Sequence, residues 1–132
     1  MNKAVGTFEV KINPLPPYKN SADAKLARMS IDKRFQGDLD ATSQGEMLSA
    51  GTDTKGSAGY VAIERVTGRL NDRSGSFALQ HNATLNRGAP YLNIVVIPDS
   101  GTGELAGLSG TMQIIIDKGK HSYEFEYGFP DA

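Results

Sequence analysis

The residues of this 132-residue chain best suited to chemistry are a glutamate and a histidine on two neighbouring predicted strands. Alternation along those strands places Glu64 and His81 on the same side as the apolar Phe77 and Leu79. A carboxylate beside an imidazole in an apolar interior has a perturbed pKa, which suits general acid–base catalysis. The same pair could equally be a satisfied interior hydrogen bond, so the pattern predicts proximity and leaves the function open.

Three more side chains follow the same inward alternation and complete a candidate ligand-binding set. Strand direction brings Tyr60, His121 and Tyr123 toward the same end of the predicted fold as the acid–base pair. His121 lies at the lip of that end, where it could act as a second base or simply touch solvent. The predicted catalytic residues are therefore Glu64 and His81, and the predicted ligand-binding residues are Tyr60, Glu64, His81, His121 and Tyr123.

The sequence lacks the residue patterns that metal binding, nucleotide cofactors, a serine nucleophile or cysteine chemistry would require. Two histidines and a glutamate suggest a facial metal triad, but the histidines lie three strands apart, so no metal site is predicted. The glycine-rich stretch 101–110 fits neither the Walker pattern nor the dinucleotide-binding pattern, and no cofactor is predicted. Ser74 and Ser76 lie outside a nucleophile elbow. The chain has no cysteine, which excludes disulfides and thiolate chemistry.

The length and charge of the chain bound its architecture and its partners. A length of 132 residues fits a single domain, 1–132, with enough buried surface for a core. Fourteen basic and fifteen acidic residues, without a basic run, argue against nucleic acid as a partner. No apolar stretch approaches the length of a membrane span, and the first residues alternate like a strand instead of forming a signal-peptide core. We expect no membrane association and a cytoplasmic location.

Short alternating segments separated by turn residues predict an all-β fold. The proline-rich segment 14–22 is expected to be a stiff loop outside any ladder, and the best candidate for a helical turn is Glu104–Leu108. Lys33 falls among inward apolar residues, which either a bulge or an inward lysine would explain. The eight predicted strands span about 4–13, 24–36, 38–50, 58–70, 75–85, 90–97, 110–117 and 120–128.

Two hairpin turns predict strand registers. A loop at Asp72–Arg73 would set Glu64 directly across from His81, and one at Lys118–Gly119 would fix the last hairpin. A slip of one residue would turn the apolar side chains outward, so each register is constrained by its own hydrophobic pattern. The further pairs expected are Val66–Leu79, Ala62–Ala83, Ile116–His121, Ile114–Tyr123 and Met112–Phe125.

Joined in chain order, these strands predict a closed eight-stranded antiparallel meander barrel. The connections at 14–22, 51–57, 85–89 and 118–119 then share one end, which we call the mouth. The small residues Ala41, Ser43 and Gly45 are expected to leave space inside it. A barrel of eight strands has an interior that side chains fill or that holds one small ligand.

The connection 99–110 (DSGTGELAGLSG) resembles a segment of allene oxide cyclases and dirigent proteins, which share an eight-stranded barrel. That segment reads Gly-Ser/Thr-Gly-x-Phe-x-Gly-x-x-Gly, and Leu105 stands where those families prefer phenylalanine. The whole chain is still more similar to an uncharacterised bacterial family with this barrel. The matching stretches are 57–65 (SAGYVAIER), 75–81 (GSFALQH), 101–107 (GTGELAG) and 121–127 (HSYEFEY). The resemblance implies an allene oxide cyclase-like fold and carries over no catalytic residue.

Three classes of function fit this reading. The first is a barrel that binds a small, largely apolar molecule at the mouth, beneath the proline-rich segment. The second is an isomerase or lyase that uses Glu64 and His81 for proton transfer, and the third is a structural or assembly protein with a packed interior. Whether the protein is an enzyme stays open. Val61, Ile63 and Val95 face outward, which predicts a homo-oligomer.

Overall fold

The computed structural model describes residues 1–19 and 25–130, and these form one closed antiparallel β-barrel. Each strand pairs with its neighbours in the chain, and β8 closes the barrel against β1. The predicted all-β meander barrel is confirmed. The strands are β1 Asn2–Leu15, β2 Leu26–Gly37, β3 Leu39–Gly51, β4 Ala58–Leu70, β5 Arg73–Asn86, β6 Ala89–Val96, β7 Ser109–Asp117 and β8 Lys120–Gly128.

The proline-rich segment contributes more to the sheet than its composition suggests. Pro14 and Leu15 continue β1 and lie opposite Met29 and Arg28 of β2, so the expectation that the whole of 14–22 stands outside the ladder is wrong. The ladder between β1 and β8 ends at Thr7. Beyond that residue β1 is an edge strand, and an edge tolerates a proline that has no N–H to donate. Part of the predicted loop, 20–24, lies outside the described residues.

The end of the barrel opposite the mouth, which we call the base, is a packed core. The rings of Phe77 and Phe125 stack with centroids 5.8 Å apart. Leu105 and Leu108, from the glycine-rich connection between β6 and β7, are buried in the same core. That connection contains a short 3-10 helix, Gly103–Leu105, near the predicted helical turn. Its close packing identifies the glycine-rich stretch as the cap of the base.

One predicted hairpin register is confirmed and the other is wrong by two residues. The β7–β8 pairs are those expected, including Ile116 with His121. In the β4–β5 hairpin Leu70 pairs with Arg73, so the turn residues are Asn71 and Asp72 instead of Asp72–Arg73. Asn71 adopts a φ of 53°, which asparagine tolerates better than most residues.

The shifted turn changes the opposing residues without turning any side chain over. Glu64 lies opposite Leu79, Ala62 opposite His81 and Val66 opposite Phe77. Because side chains alternate with a period of two, a shift of two residues keeps every inward residue inward. The predicted face of the hairpin is therefore correct although its individual pairs are not.

The weakest join in the barrel wall lies between β6 and β7. Only Ile94–Met112 and Val95–Thr111 pair across it, although both strands continue toward the mouth. Extending that register would set 89–93 against 113–117, yet these stretches have no cross-strand partner on this side among the described residues. We call this opening the β6–β7 seam.

Candidate functional site

Four side chains from four neighbouring strands form a hydrogen-bonded group inside the barrel, which we call the charge cluster. Lys33 Nζ donates to Glu64 Oε2 at 2.8 Å, and Ser43 Oγ donates to Glu64 Oε1 at 2.8 Å. His81 Nε2 lies 2.6 Å from the same Oε2. All four residues are buried, Glu64 completely. The predicted proximity of Glu64 and His81 is therefore confirmed in the barrel interior.

The direct opposition of Glu64 and His81 is not needed for their contact. The two residues are diagonal neighbours on β4 and β5, because His81 faces Ala62, two residues before Glu64. Diagonal side chains on one face of a sheet are within reach when they are long. The interior hydrogen bond thus survives the error in the predicted register.

A glycine on β3 fixes how closely Glu64 is held. Gly45 lies opposite Glu64, and a Cβ added to Gly45 would come within 2.2 Å of the Ile63 carbonyl oxygen. The backbone of β4 therefore occupies the space that Gly45 was expected to leave in the interior. The absence of a side chain brings the strands together instead of creating a cavity.

The protonation of the charge cluster follows from its contacts. Burial tends to raise the pKa of the Glu64 carboxyl, but the hydrogen bond from His81 and the Lys33 cation outweigh burial and hold the pKa at about 2. An ionised carboxylate only accepts hydrogen bonds, so Nε2 of His81 must carry the hydrogen between them. Nδ1 of His81 is buried and has no partner among the described residues, so in a neutral imidazole it is an unused acceptor.

Lys33 is the member of the cluster whose orientation the sequence left open, and it points inward without a bulge. Its ammonium group lies 5.2 Å from the ring centroid of Phe8 and 5.7 Å from that of Phe35. Aromatic faces stabilise a cation that has lost its water. Sequence reasoning missed Lys33 and Ser43 as partners of Glu64. The inward parity of both residues is the signal that could have found them.

An open cavity of about 410 Å³ lies at the mouth, which we call the mouth pocket. The Tyr60 ring in its wall lies with its centroid 6.3 Å from that of His81. Burial, together with the nearby charge of Glu64, raises the pKa of Tyr60, so its hydroxyl stays neutral. Ala83, one inward position beyond His81 on β5, also lines the cavity. Its inward-facing walls include Met47, Ser49, Tyr60, Ala83, Leu85 and Leu92.

Of the five predicted ligand-binding residues, Tyr60 lines the mouth pocket, Glu64 and His81 lie in the neighbouring charge cluster, and Tyr123 and His121 lie away from both. The Tyr123 hydroxyl accepts a hydrogen bond from the Leu39 backbone N–H and donates to the Gln36 carbonyl, both at 2.9 Å. These partners flank the β2–β3 turn at the base, so the side chain of Tyr123 belongs to the base core and not to the mouth. His121 packs edge-on against Phe8 and borders a separate cavity of about 300 Å³. The structure brings Tyr60, Glu64 and His81 together but leaves Tyr123 and His121 apart from them.

Inward-facing apolar side chains near the mouth remain accessible to solvent. Ile12 is 47% exposed, Leu85 39%, Leu92 41% and Ile116 65%. Each faces the interior, because each shares its parity with buried residues of the same strand. We call these four residues the apolar collar. The base of the barrel is filled by its own side chains, whereas the mouth is not.

The described part of the proline-rich segment does not cover this opening. No residue of 14–19 lines the mouth pocket. Tyr18 instead borders a groove of about 960 Å³ on the outside of the barrel, with Leu48, Val61 and Ile63. The remainder of the predicted lid, 20–24, lies outside the described residues.

The described ranges 1–19 and 25–130 lack two classes of feature. No group of three or more His, Asp or Glu side chains there is placed to hold a metal ion. No helix in the same ranges is long and apolar enough to cross a membrane.

Comparison with known proteins identifies the family. The family model described as a protein of unknown function, DUF3224, matches residues 4–127. The crystal structure of a DUF3224 protein of unknown function from Shewanella oneidensis MR-1 is 52% identical, with a TM-score of 0.95 over 100% of this chain and 99% of that chain. No curated protein matches the chain. The resemblance to a bacterial family with this barrel is thus confirmed, whereas the allene oxide cyclase likeness stays a prediction. The chain belongs to the DUF3224 family.

Proposed function

We propose that this protein binds one small, largely apolar molecule in the mouth pocket. The observation that carries the proposal is the apolar collar, whose inward-facing side chains lie exposed at the mouth, where Leu85 and Leu92 also line an open cavity. Each exposed aliphatic side chain gains about 1.5 to 3 kcal/mol when it is fully removed from water. A ligand that covered the collar would obtain part of that gain.

The size and polarity of the mouth pocket fit such a ligand. Its volume of about 410 Å³ lies within the range of roughly 300 to 1,000 Å³ that is usual for small-molecule sites. Apolar side chains predominate in the walls, and Ser49 and the hydroxyl of Tyr60 are among the few polar groups. A mainly apolar wall with a few converging polar groups is the usual character of a binding site.

The test is native mass spectrometry of freshly purified protein, followed by chemical-shift mapping with a fragment library. We expect bound fragments to shift the resonances of Tyr60, Ala83 and Leu92. Ala83→Leu should fill the cavity and weaken binding at least tenfold, whereas Asn82→Leu adds the same side chain on the outer face of β5 and should leave binding unchanged. Shifts confined to the glycine-rich connection around Gly101 and Gly107 would place binding at the base and refute the proposal.

A second candidate function is an isomerase or lyase that moves a proton within the bound molecule. The observation that favours it is the unused Nδ1 of His81 beside an Nε2 that the Glu64 carboxylate holds. In that arrangement Nδ1 is the general base, and Glu64 is a positioning residue that also stabilises the imidazolium formed after proton transfer. Every oxygen of Glu64 is already hydrogen-bonded, so the carboxylate itself is a poor base.

Exchange of hydrogen for deuterium separates the two candidates. Fragments that bind are incubated with the protein in heavy water, and carbon-bound deuterium is measured by mass spectrometry. A proton-transfer enzyme would catalyse the exchange, and His81→Gln would abolish it even at fragment concentrations that saturate the variant. Binding without exchange in the wild-type protein would leave a binding barrel and exclude catalysis for the fragments tested.

A further inference from the structure

We infer that the molecule held in the mouth pocket is a neutral compound with one hydroxyl or N–H group, which it donates to Nδ1 of His81. This inference rests on the proposed function and names the chemical class of its ligand. His81 would then determine specificity, whereas the apolar collar supplies affinity without selecting a functional group.

The charge cluster fixes which nitrogen of His81 is free. Glu64 accepts hydrogen bonds from Lys33 and Ser43 as well as facing Nε2, which leaves the carboxylate ionised and its oxygens occupied. Nε2 can meet that carboxylate only as a donor. In the neutral ring the hydrogen therefore resides on Nε2, and the lone pair of Nδ1 is available.

An unused buried acceptor is costly, and this one lies beside the mouth pocket. A buried polar atom without a partner is unfavourable, so a donor that reached Nδ1 would recover the lost free energy. His81 does not itself line the pocket but adjoins two residues that do, since the ring of Tyr60 lies alongside its own ring and Ala83 follows it on the inward face of β5. A ligand seated against these two side chains approaches the imidazole from the mouth side.

The charges around the pocket select a neutral ligand over an anion. None of its lining residues is a lysine, arginine or histidine. Lys33, the cation of the cluster, is already paired with Glu64 on the far side of His81, so it is not available to a ligand. An anionic ligand would therefore be buried without a counter-ion, whereas a phenol, an enol or an azole would bring a donor and no charge.

The experiment compares para-phenylphenol with its methyl ether, in which a methyl group replaces the hydrogen that the phenol donates. Both are apolar and small enough for the cavity. We expect calorimetry to show at least tenfold tighter binding of the phenol to the wild-type protein. Nitrogen-15 NMR should show the Nδ1 resonance of His81 moving as the phenol is added and staying in place with the ether.

His81→Gln supplies the matched variant. The amide nitrogen of glutamine takes the place of Nε2 and still donates to Glu64, while the Nδ1 acceptor is removed. We expect this variant to bind both probes equally, with the affinity that the wild-type protein has for the ether. Should the variant fail to fold, the two-probe comparison and the nitrogen-15 signal in the wild-type protein still decide the matter.

The outcomes distinguish the inference from the proposed function. If both probes bind in the mouth pocket with equal affinity and the Nδ1 resonance of His81 does not shift, the binding function stands and the hydrogen-bond inference is overturned. If neither probe perturbs Tyr60, Ala83 or Leu92, the mouth pocket does not bind compounds of this class, and both proposals fail.

Discussion

The carboxylate of Glu64 organises the interior of the barrel through three hydrogen bonds from three strands. Removing a carboxylate and an ammonium from water is unfavourable, and the attraction between Lys33 and Glu64 offsets that cost only because the remaining oxygen is also bonded. The cluster therefore depends on all its members. Removal of Lys33 or Glu64 alone leaves a buried charge that nothing compensates.

The low pKa of Glu64 predicts how stability changes with pH. The carboxyl titrates near pH 4.3 in the unfolded chain and at about 2 in the folded protein. Because the folded pKa is the lower one, ionised Glu64 stabilises the fold fully above about pH 5, and this contribution is lost as the pH falls toward 2. Its size is on the order of 3 kcal/mol. Urea unfolding at a series of pH values measures the loss.

A double variant serves as the control for that titration. Glu64→Gln alone leaves the Lys33 cation buried and should cost about 3 to 5 kcal/mol, whereas Glu64→Gln with Lys33→Met removes both charges and should recover most of it. The double variant lacks the titrating group, so it should lose on the order of 3 kcal/mol less than the wild type between pH 5 and pH 2. If the free energies of unfolding of the wild type and the double variant changed equally with pH, Glu64 would not be the group responsible for the loss of stability in acid.

Of the three side-chain contacts of Glu64, the sequence predicts the one with His81 and neither of the other two. The Glu64–His81 contact is predictable, because alternation alone places both side chains inside and tolerates a register error of two residues. The partnership of Lys33 and Ser43 with Glu64 depends on the stagger of β2 and β3 relative to β4. That stagger arises from barrel closure and not from any local turn signal.

At the scale of the strands, the β6–β7 seam is the feature with a dynamic consequence. Edge residues 113–117 of β7 bond to β8 on one side only, and Leu92 of β6 lines the mouth pocket from the other edge of the seam. Strand ends with few neighbours open at low free energy, well below that of global unfolding.

Amide hydrogen exchange rates should therefore alternate between slow and fast from one residue to the next along β7. Within 113–117, amides bonded to β8 should be protected, and the alternate amides that face the seam should exchange quickly. Residues 61–66 of β4 are the internal control, because β3 and β5 pair with both edges of that stretch. Uniform protection over 113–117, equal to that of β4, would show that the seam is closed in solution.

The strand boundaries follow closely from the sequence, since period-two alternation and turn residues mark them. What the sequence did not reveal is where pairing stops. The alternation of β6 and β7 continues through 89–93 and 113–117, although no ladder joins them across the seam. The turn at Asn71–Asp72 likewise depends on a single positive φ that composition alone does not assign.

At the scale of the whole molecule, the barrel has two unlike halves. The base is closed by the glycine-rich connection and packed with aromatic rings, whereas the mouth carries the open pocket and the exposed collar. Chain order in a meander determines which connections share an end, so this division is largely predictable from the sequence. A fully packed interior, as the structural or assembly alternative requires, would leave no such pocket at the mouth.

The outer wall carries a second apolar surface, on β3 and β4. Leu48, Val61 and Ile63 are each half exposed there, and they border the outer groove beside the paired side chains of Arg28 and Glu46. Apolar groups clustered on one face of a soluble protein indicate an interaction site. The occupant that we favour is a second copy of this chain, because the formal net charge of −1 gives two copies almost no mutual repulsion.

We therefore expect a homo-oligomer at micromolar concentration, measured by light scattering, that packs through this outer wall. Val61→Lys would place a cation in the centre of the interface and should yield monomers, since an unpaired charge is strongly disfavoured in a buried contact. Val5→Lys is the matched control, because Val5 is 46% exposed on β1 and Val61 is 50% exposed on β4. A wild-type monomer would refute the expectation. A lysine far from the interface should leave the assembly intact. If Val5→Lys dissociated the assembly as fully as Val61→Lys, the outer wall of β3 and β4 would therefore not be the specific interface.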